Sequence, residues 1–187
     1  MGGRVAGFDI GLGALQIGDG VFLGTDARPI QLNSSVTSLS AMISRDIDFW
    51  IIKSQHRVIF NQINNDIILA PSVQLAGNVS LGTFLERYNA RIDIGMDYYL
   101  IPSYNAPAFH HVFGRFYNNG LNVPSGDIAI LNPYLTIQIE TLAFFLKSVN
   151  ATGQLLGPNR LINLNPVQSR SLYNARVVFG IKWRLLD

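Results

Sequence analysis

The sequence predicts an all-β fold, an antiparallel up-and-down transmembrane β-barrel of about eight strands, with residues 1–187 as a single barrel domain. Three observations predict it. The last stretch, Tyr173–Leu186, alternates: Ala175, Val177, Phe179, Ile181, Trp183 and Leu185 are apolar, while Arg176, Gly180, Lys182 and Arg184 stand between them, with Val178 the exception. Successive side chains of a strand point to opposite faces, so one face is oily and the other cationic. Charged residues make up 14% of the chain, against roughly 25% in an average soluble domain. The connections between candidate strands alternate strictly between long and tight.

The elements follow in order. Arg4–Ile17 reads as the first strand, with Phe8, Ile10, Leu12 and Ala14 opposed to Asp9, Gly11 and Gly13. Gly18–Asn33 is a loop punctuated by Gly, Asp and Pro. Ser34–Ser44 is the second strand, Arg45-Asp46 a tight turn, and Ile47–Gln62 the third strand, its alternation blurred by Ser54 and His56. After the loop 63–71, Ser72–Leu85 is the fourth strand, Glu86-Arg87 a tight turn, and Tyr88–Tyr104 the fifth. The fifth has the clearest pattern: Ala90, Ile92, Ile94, Met96, Tyr98 and Leu100 against Arg91, Asp93, Gly95, Asp97 and Tyr99. The loop 105–125 leads to Gly126–Ile139, flawed by Pro133; Glu140-Thr141 is a third tight turn before Leu142–Asn150. The loop 151–172 precedes the final strand.

Long loops therefore gather at one end and tight turns at the other, the asymmetry of an outer-membrane barrel, and each strand is long enough to cross when tilted. No stretch is an apolar helical span: 67–85, the longest without charge, contains Pro71, Gln74 and Asn78. Met1–Ile10 carries Arg4 and Asp9 and lacks a leader's apolar run, so the chain reads as a mature form, a portion of a longer one, or not exported. A net charge of +2 with scattered basic residues and no aromatic–basic cluster does not suggest a nucleic-acid surface, and no nucleic-acid partner is expected. The absence of cysteine excludes disulfides and Cys-ligated metals.

From Phe60 onward the chain resembles the C-terminal part of the putative porins of Bacteroidetes outer membranes. The resemblance is carried by Tyr98-Tyr99, Ser103-Tyr104-Asn105-Ala106-Pro107, Gly114-Arg115-Phe116-Tyr117, Phe144–Asn150 and the ending Phe179–Asp187. It departs from that pattern at Leu185 or Leu186, where an aromatic is usual, and at Asn165-Pro166, where a Tyr-Pro pair is usual. The resemblance implies a bacterial outer-membrane location and a porin-like barrel. It further implies that the last strand, through Phe179, Gly180 and Trp183, is an assembly signal for the barrel-insertion machinery. It leaves two architectures open: a small barrel closed by this chain alone, or the C-terminal portion of a wider barrel completed by other strands or chains.

Arg91, Asp93, Asp97, Arg176, Lys182 and Arg184 fall on the inferred lumen faces, as a pore lining or, in a narrow barrel, as an internal ion-pair network. Trp50, Tyr88, Tyr98, Tyr104, Tyr173 and Trp183 are candidates for aromatic girdles at the two membrane interfaces. His110-His111 diverge as strand neighbours and have no third ligand nearby, so no metal or other cofactor is expected. Gly11-Leu12-Gly13 lacks the third glycine of a dinucleotide fingerprint. Glu86 and Glu140 lie in tight turns, poor places for acid–base chemistry, which needs a shielded pocket, and the sequence offers no nucleophile–base–orienter set, so the expectation is not an enzyme. The expected function is passive diffusion of small solutes across the outer membrane, with outer-membrane lipid as the surrounding partner. The alternatives are a small barrel that anchors or binds through its external loops, or a soluble lipocalin-like barrel that binds a greasy ligand.

Overall fold

The computed structural model describes residues 2–5 as backbone path, and residues 7–125, 127–152 and 175–183 in full. Strands dominate; one turn of 3-10 helix spans Glu86–Tyr88, and Ala151 and Thr152, which follow the last residues of the hairpin ending at Val149, are helical. Nine strands form one sheet: β1 (Gly2–Val5), β2 (Phe8–Ile17), β5 (Val36–Phe49), β6 (Ile52–Ile63), β7 (Val73–Leu85), β8 (Ala90–Ile101), β11 (Ile128–Ile139), β12 (Leu142–Val149) and β13 (Arg176–Trp183). They lie side by side in chain order, each antiparallel to the last. Two small hairpins rise from the long-loop end: β3 (Val21–Leu23) with β4 (Pro29–Gln31), and β9 (Ala108–His110) with β10 (Arg115–Tyr117).

The register sorts the side chains into two faces. Opposed residues share a face, so the row through Ile94 runs from Leu81 on β7 to Leu135 on β11, Leu146 on β12 and Phe179 on β13. That face is mainly apolar, with Arg45 on β5 and Ser54, His56 and Gln62 on β6 among the exceptions, and its large apolar side chains are exposed: Ile94 is 57% accessible, Leu81 50%, Ile181 65% and Phe179 83%. Asp93 and Asp97, on the opposite face, are half-buried. A soluble sheet would do the reverse, because exposed apolar area on this scale is unfavourable in water. Lipid would remove that penalty, and the ladders pair the backbone groups between neighbouring strands.

The tips of the tight hairpins are staggered. Phe8 lies opposite Arg45, four residues short of the end of β5 at Phe49. Ile52 lies opposite Leu81, four residues short of the end of β7 at Leu85. Ala90 and Ile139 are level. Strands inclined by about 35–45° need such a stagger if their tips are to end at one height.

Three expectations from the sequence are corrected. Arg45-Asp46 is no turn: β5 runs through it, and the chain reverses at Trp50-Ile51, with Trp50 in the left-handed region at φ 55°. The polar pair suggested a turn, but the ladder from Ser38↔Ile63 to Phe49↔Ile52 keeps the apolar face in phase. Arg4–Ile17 is no single strand either. It folds back at Gly7, φ 80°, into the β1–β2 hairpin, an extra strand beyond the expected eight. The Glu86-Arg87 turn is wider than two residues, with Asn89 left-handed behind the 3-10 turn. The Glu140-Thr141 turn joins Ile139 directly opposite Leu142, with Glu140 at φ 49°. Pro133 stands inside the β8–β11 ladder opposite Met96, although it brings no backbone donor.

At the long-loop end the described loops knit together. Leu23, Val36, Ile101, Ala106, Ala108 and Ile128 are buried there. Asn118 donates its side-chain N–H to the Asp66 carbonyl at 2.7 Å, and the backbones of 104–106 and 123–125 pair.

Candidate functional site

The polar face of the sheet carries the chemistry. Alternation on β8 delivers Arg91, Asp93, Asp97 and Tyr99 to it, and the register brings up Asn78 and Ser80 from β7, Asn132, Tyr134 and Thr136 from β11, and Lys147 from β12. Arg176 and Lys182 share this face on β13, opposite Val149 and Ala143, and are exposed at the sheet edge. Five of the six residues expected to line a lumen therefore share one face, and Arg184 lies outside the described residues.

Side chains bridge strands that are not hydrogen-bonded neighbours. Lys147 Nζ donates to Asp97 Oδ2 at 2.6 Å, reaching across β11, and Asn78 Nδ2 donates to Asp97 Oδ1 at 2.6 Å. Asn78 Nδ2 also reaches the Tyr134 hydroxyl at 3.0 Å, across β8. Arg91 grips Asp93 on its own strand through Nε at 2.7 Å and Nη2 at 2.8 Å, the two-pronged geometry that suits guanidinium and carboxylate. The Tyr99 hydroxyl donates to Gln74 Oε1 at 2.5 Å. Lys53 and Asp48 make a looser contact at 3.7 Å. These groups form a polar surface with partly exposed ions of both signs, suited to contact with water and polar solutes.

Glycines make room for the rings that cross this surface. Tyr134 lies over Gly95, its opposite number, where a Cβ would come within 2.5 Å of the ring. Phe145 covers Gly180 in the same way, with a Cβ contact of 2.6 Å. Gly180, expected in an assembly signal, thus has a packing reason of its own, while Phe179 and Trp183 point to the apolar face and are exposed.

The aromatic residues divide by position. Trp50, Tyr88 and Trp183 stand at the tight-turn end and are exposed. Tyr104 lies beyond β8 at the long-loop end, half-buried, with burial and then the neighbouring Tyr99 pushing its hydroxyl pKa up. Tyr98 stands within β8 on the apolar face, and its hydroxyl bonds His56 Nδ1 at 2.5 Å across Gly77. Tyr173 lies outside the described residues. His110 Nδ1 accepts from the Phe113 N–H at 3.3 Å and His111 packs edge-on against Phe109, so the two rings go separate ways.

Lys147, Tyr134 and Asn78, central to the network, are not among the lumen residues that the sequence predicts. Lys147 carried a signal, as the one ionic residue of Leu142–Asn150, on the side of the strand facing away from Phe144 and Leu146.

No curated protein and no solved structure matches the chain. A family model does, over residues 4–187. Fold, exposed apolar face and family agree: the chain belongs to the family described as putative porins.

Proposed function

We propose that the chain forms the wall of an outer-membrane barrel that lets small polar solutes diffuse passively, with its apolar face against lipid and its polar face lining a wet lumen. The observation that carries this reading is the division of eight consecutive full strands, β2 to β13 of the main sheet, into one apolar exposed face and one polar face. Arg91, Asp93, Asp97, Arg176 and Lys182 would bias permeating solutes by charge. Trp50, Tyr88 and Trp183 would sit in the girdle at the tight-turn interface, and the β13 aromatics Phe179 and Trp183 would serve recognition by the insertion machinery. A soluble ligand-binding barrel fits poorly, since it would have to present Ile94, Phe179 and Ile181 to water.

The topology favours a wide barrel. The nine strands alternate in direction, so β1 and β13 run the same way. Joining those two edges would make a parallel pair. Joining β13 to β2 instead would leave it only Leu12–Ile17, because β1 occupies the edge of β2 at Phe8–Gly11. An antiparallel wall is completed by an odd number of further strands from another segment or chain. This matters for function, because about eight strands enclose an interior filled by side chains, whereas barrels of about 16 hold an aqueous channel.

Planar-bilayer conductance and liposome swelling test the reading. Purified protein inserted in lipid is expected to give stepwise conductance and to pass small uncharged sugars. Properly inserted protein that gives neither would refute a pore and leave an anchoring barrel.

A further inference from the structure

The apolar face carries one ion. Among the described residues of β2, β5 to β8 and β11 to β13, the outward positions hold no Asp, Glu or Lys and no arginine other than Arg45. Arg45 is exposed, makes no ion pair among the described residues, and holds its guanidinium over the ring of Phe8, 4.8 Å from the centroid. That face offers it no carboxylate. Its neighbours in the same row, His56 and Tyr98, bond each other.

Height decides what an outward arginine meets. Such a residue is costly at the middle of a bilayer and nearly free at the interface. Arg45 lies opposite Phe8, which directly follows the turn at Gly7. It is therefore within one strand spacing, about 5 Å, of a tight-hairpin tip, although Ile47 and Phe49 extend the apolar face further along its own strand. With its ring-facing side stacked, the guanidinium keeps planar N–H edges free, the arrangement that takes two phosphate oxygens at once.

We propose that Arg45, stacked on Phe8, binds the phosphate of an anionic phospholipid in the leaflet at the tight-turn end. The proposal rests on the membrane reading above. It requires a negative headgroup, because no acidic side chain on this face can balance the arginine.

Spin-label electron resonance tests it, with the full chain inserted in phosphatidylcholine bilayers carrying trace spin-labelled phosphatidylglycerol or phosphatidylcholine. The protein is expected to hold the phosphatidylglycerol label about fivefold more strongly, the gain of one cation beside an anionic headgroup. Arg45→Gln should abolish most of that preference, Arg45→Lys should keep part of it, and Arg57→Gln, on the polar face, should change nothing. Wild-type protein that restrains both labels equally, as it would if Arg45 served a protein partner, overturns the proposal, and so does a preference that survives Arg45→Gln. Protein that restrains no lipid at all overturns the membrane reading, and the proposal with it.

Discussion

Lys147 on β12 reaches over β11 to Asp97 on β8, Nζ to Oδ2 at 2.6 Å, while Asn78 on β7 approaches the same carboxylate from the other side. One carboxylate thus ties β7, β8 and β12 together across β11. Asp97→Ala leaves an ammonium and an amide without their acceptor, and should lower stability by about 1–2 kcal/mol. The low end is expected because the Lys147 and Asp97 side chains are 36% and 38% exposed. Denaturant unfolding of the single and double variants with Lys147→Met checks this, and purely additive effects would deny the coupling.

Gly95 and Tyr134 form the second test. A methyl at Gly95 would meet the Tyr134 ring at 2.5 Å and Ser80 Cβ at 2.9 Å. Gly95→Ala should therefore cost roughly 1–3 kcal/mol by displacing the ring, and should break the Tyr134–Asn78 hydrogen bond. Adding Tyr134→Ala should cost little more. Two costs that sum in full would mean that the ring never covered the glycine.

Much of this architecture is legible in the sequence, for a simple reason. A face buried in lipid and a face in water write a period of two along each strand, so β8 and β13 declare their phase through Ile92, Ile94, Phe179 and Ile181 without knowledge of any partner. What is illegible depends on neighbours. Arg45-Asp46 has the chemistry of a turn, yet cross-strand pairing carries β5 past it, and Trp50 turns instead despite its φ of 55°. His56 blurs β6 when taken alone, and makes sense once Tyr98 is seen two strands away. Lys147 joins the network only because β11 separates it from Asp97 by one strand.

The turn at Glu140 carries a correctable strain. Its φ of 49° disfavours a side chain that lacks asparagine's tolerance for the left-handed region. Glu140→Asn should raise stability by about 0.5–1 kcal/mol, seen as a higher denaturation midpoint with an unchanged slope. A loss of stability would mean that the glutamate side chain has a role beyond the turn.

The strand parity makes a topological prediction. With the wall completed by further strands, cysteines at Gly13 or Ala14, on the part of the β2 edge that β1 leaves uncovered, should not form disulfides with cysteines placed along 177–182 in the inserted protein. Efficient bridging would show β13 against β2, an eight-stranded barrel with β1 displaced, and a lumen too narrow for the proposed passage.

The central claim is that adjacent residues of one strand face lipid and water in turn. The chain has no cysteine, so single cysteines can be placed at Leu135, Thr136, Ile137 and Gln138 on β11 and treated, in intact proteoliposomes, with a small water-soluble thiol reagent. Labelling at Thr136 and Gln138, with Leu135 and Ile137 protected until detergent is added, is the predicted result. The opposite pattern, or equal labelling at all four, would contradict the account.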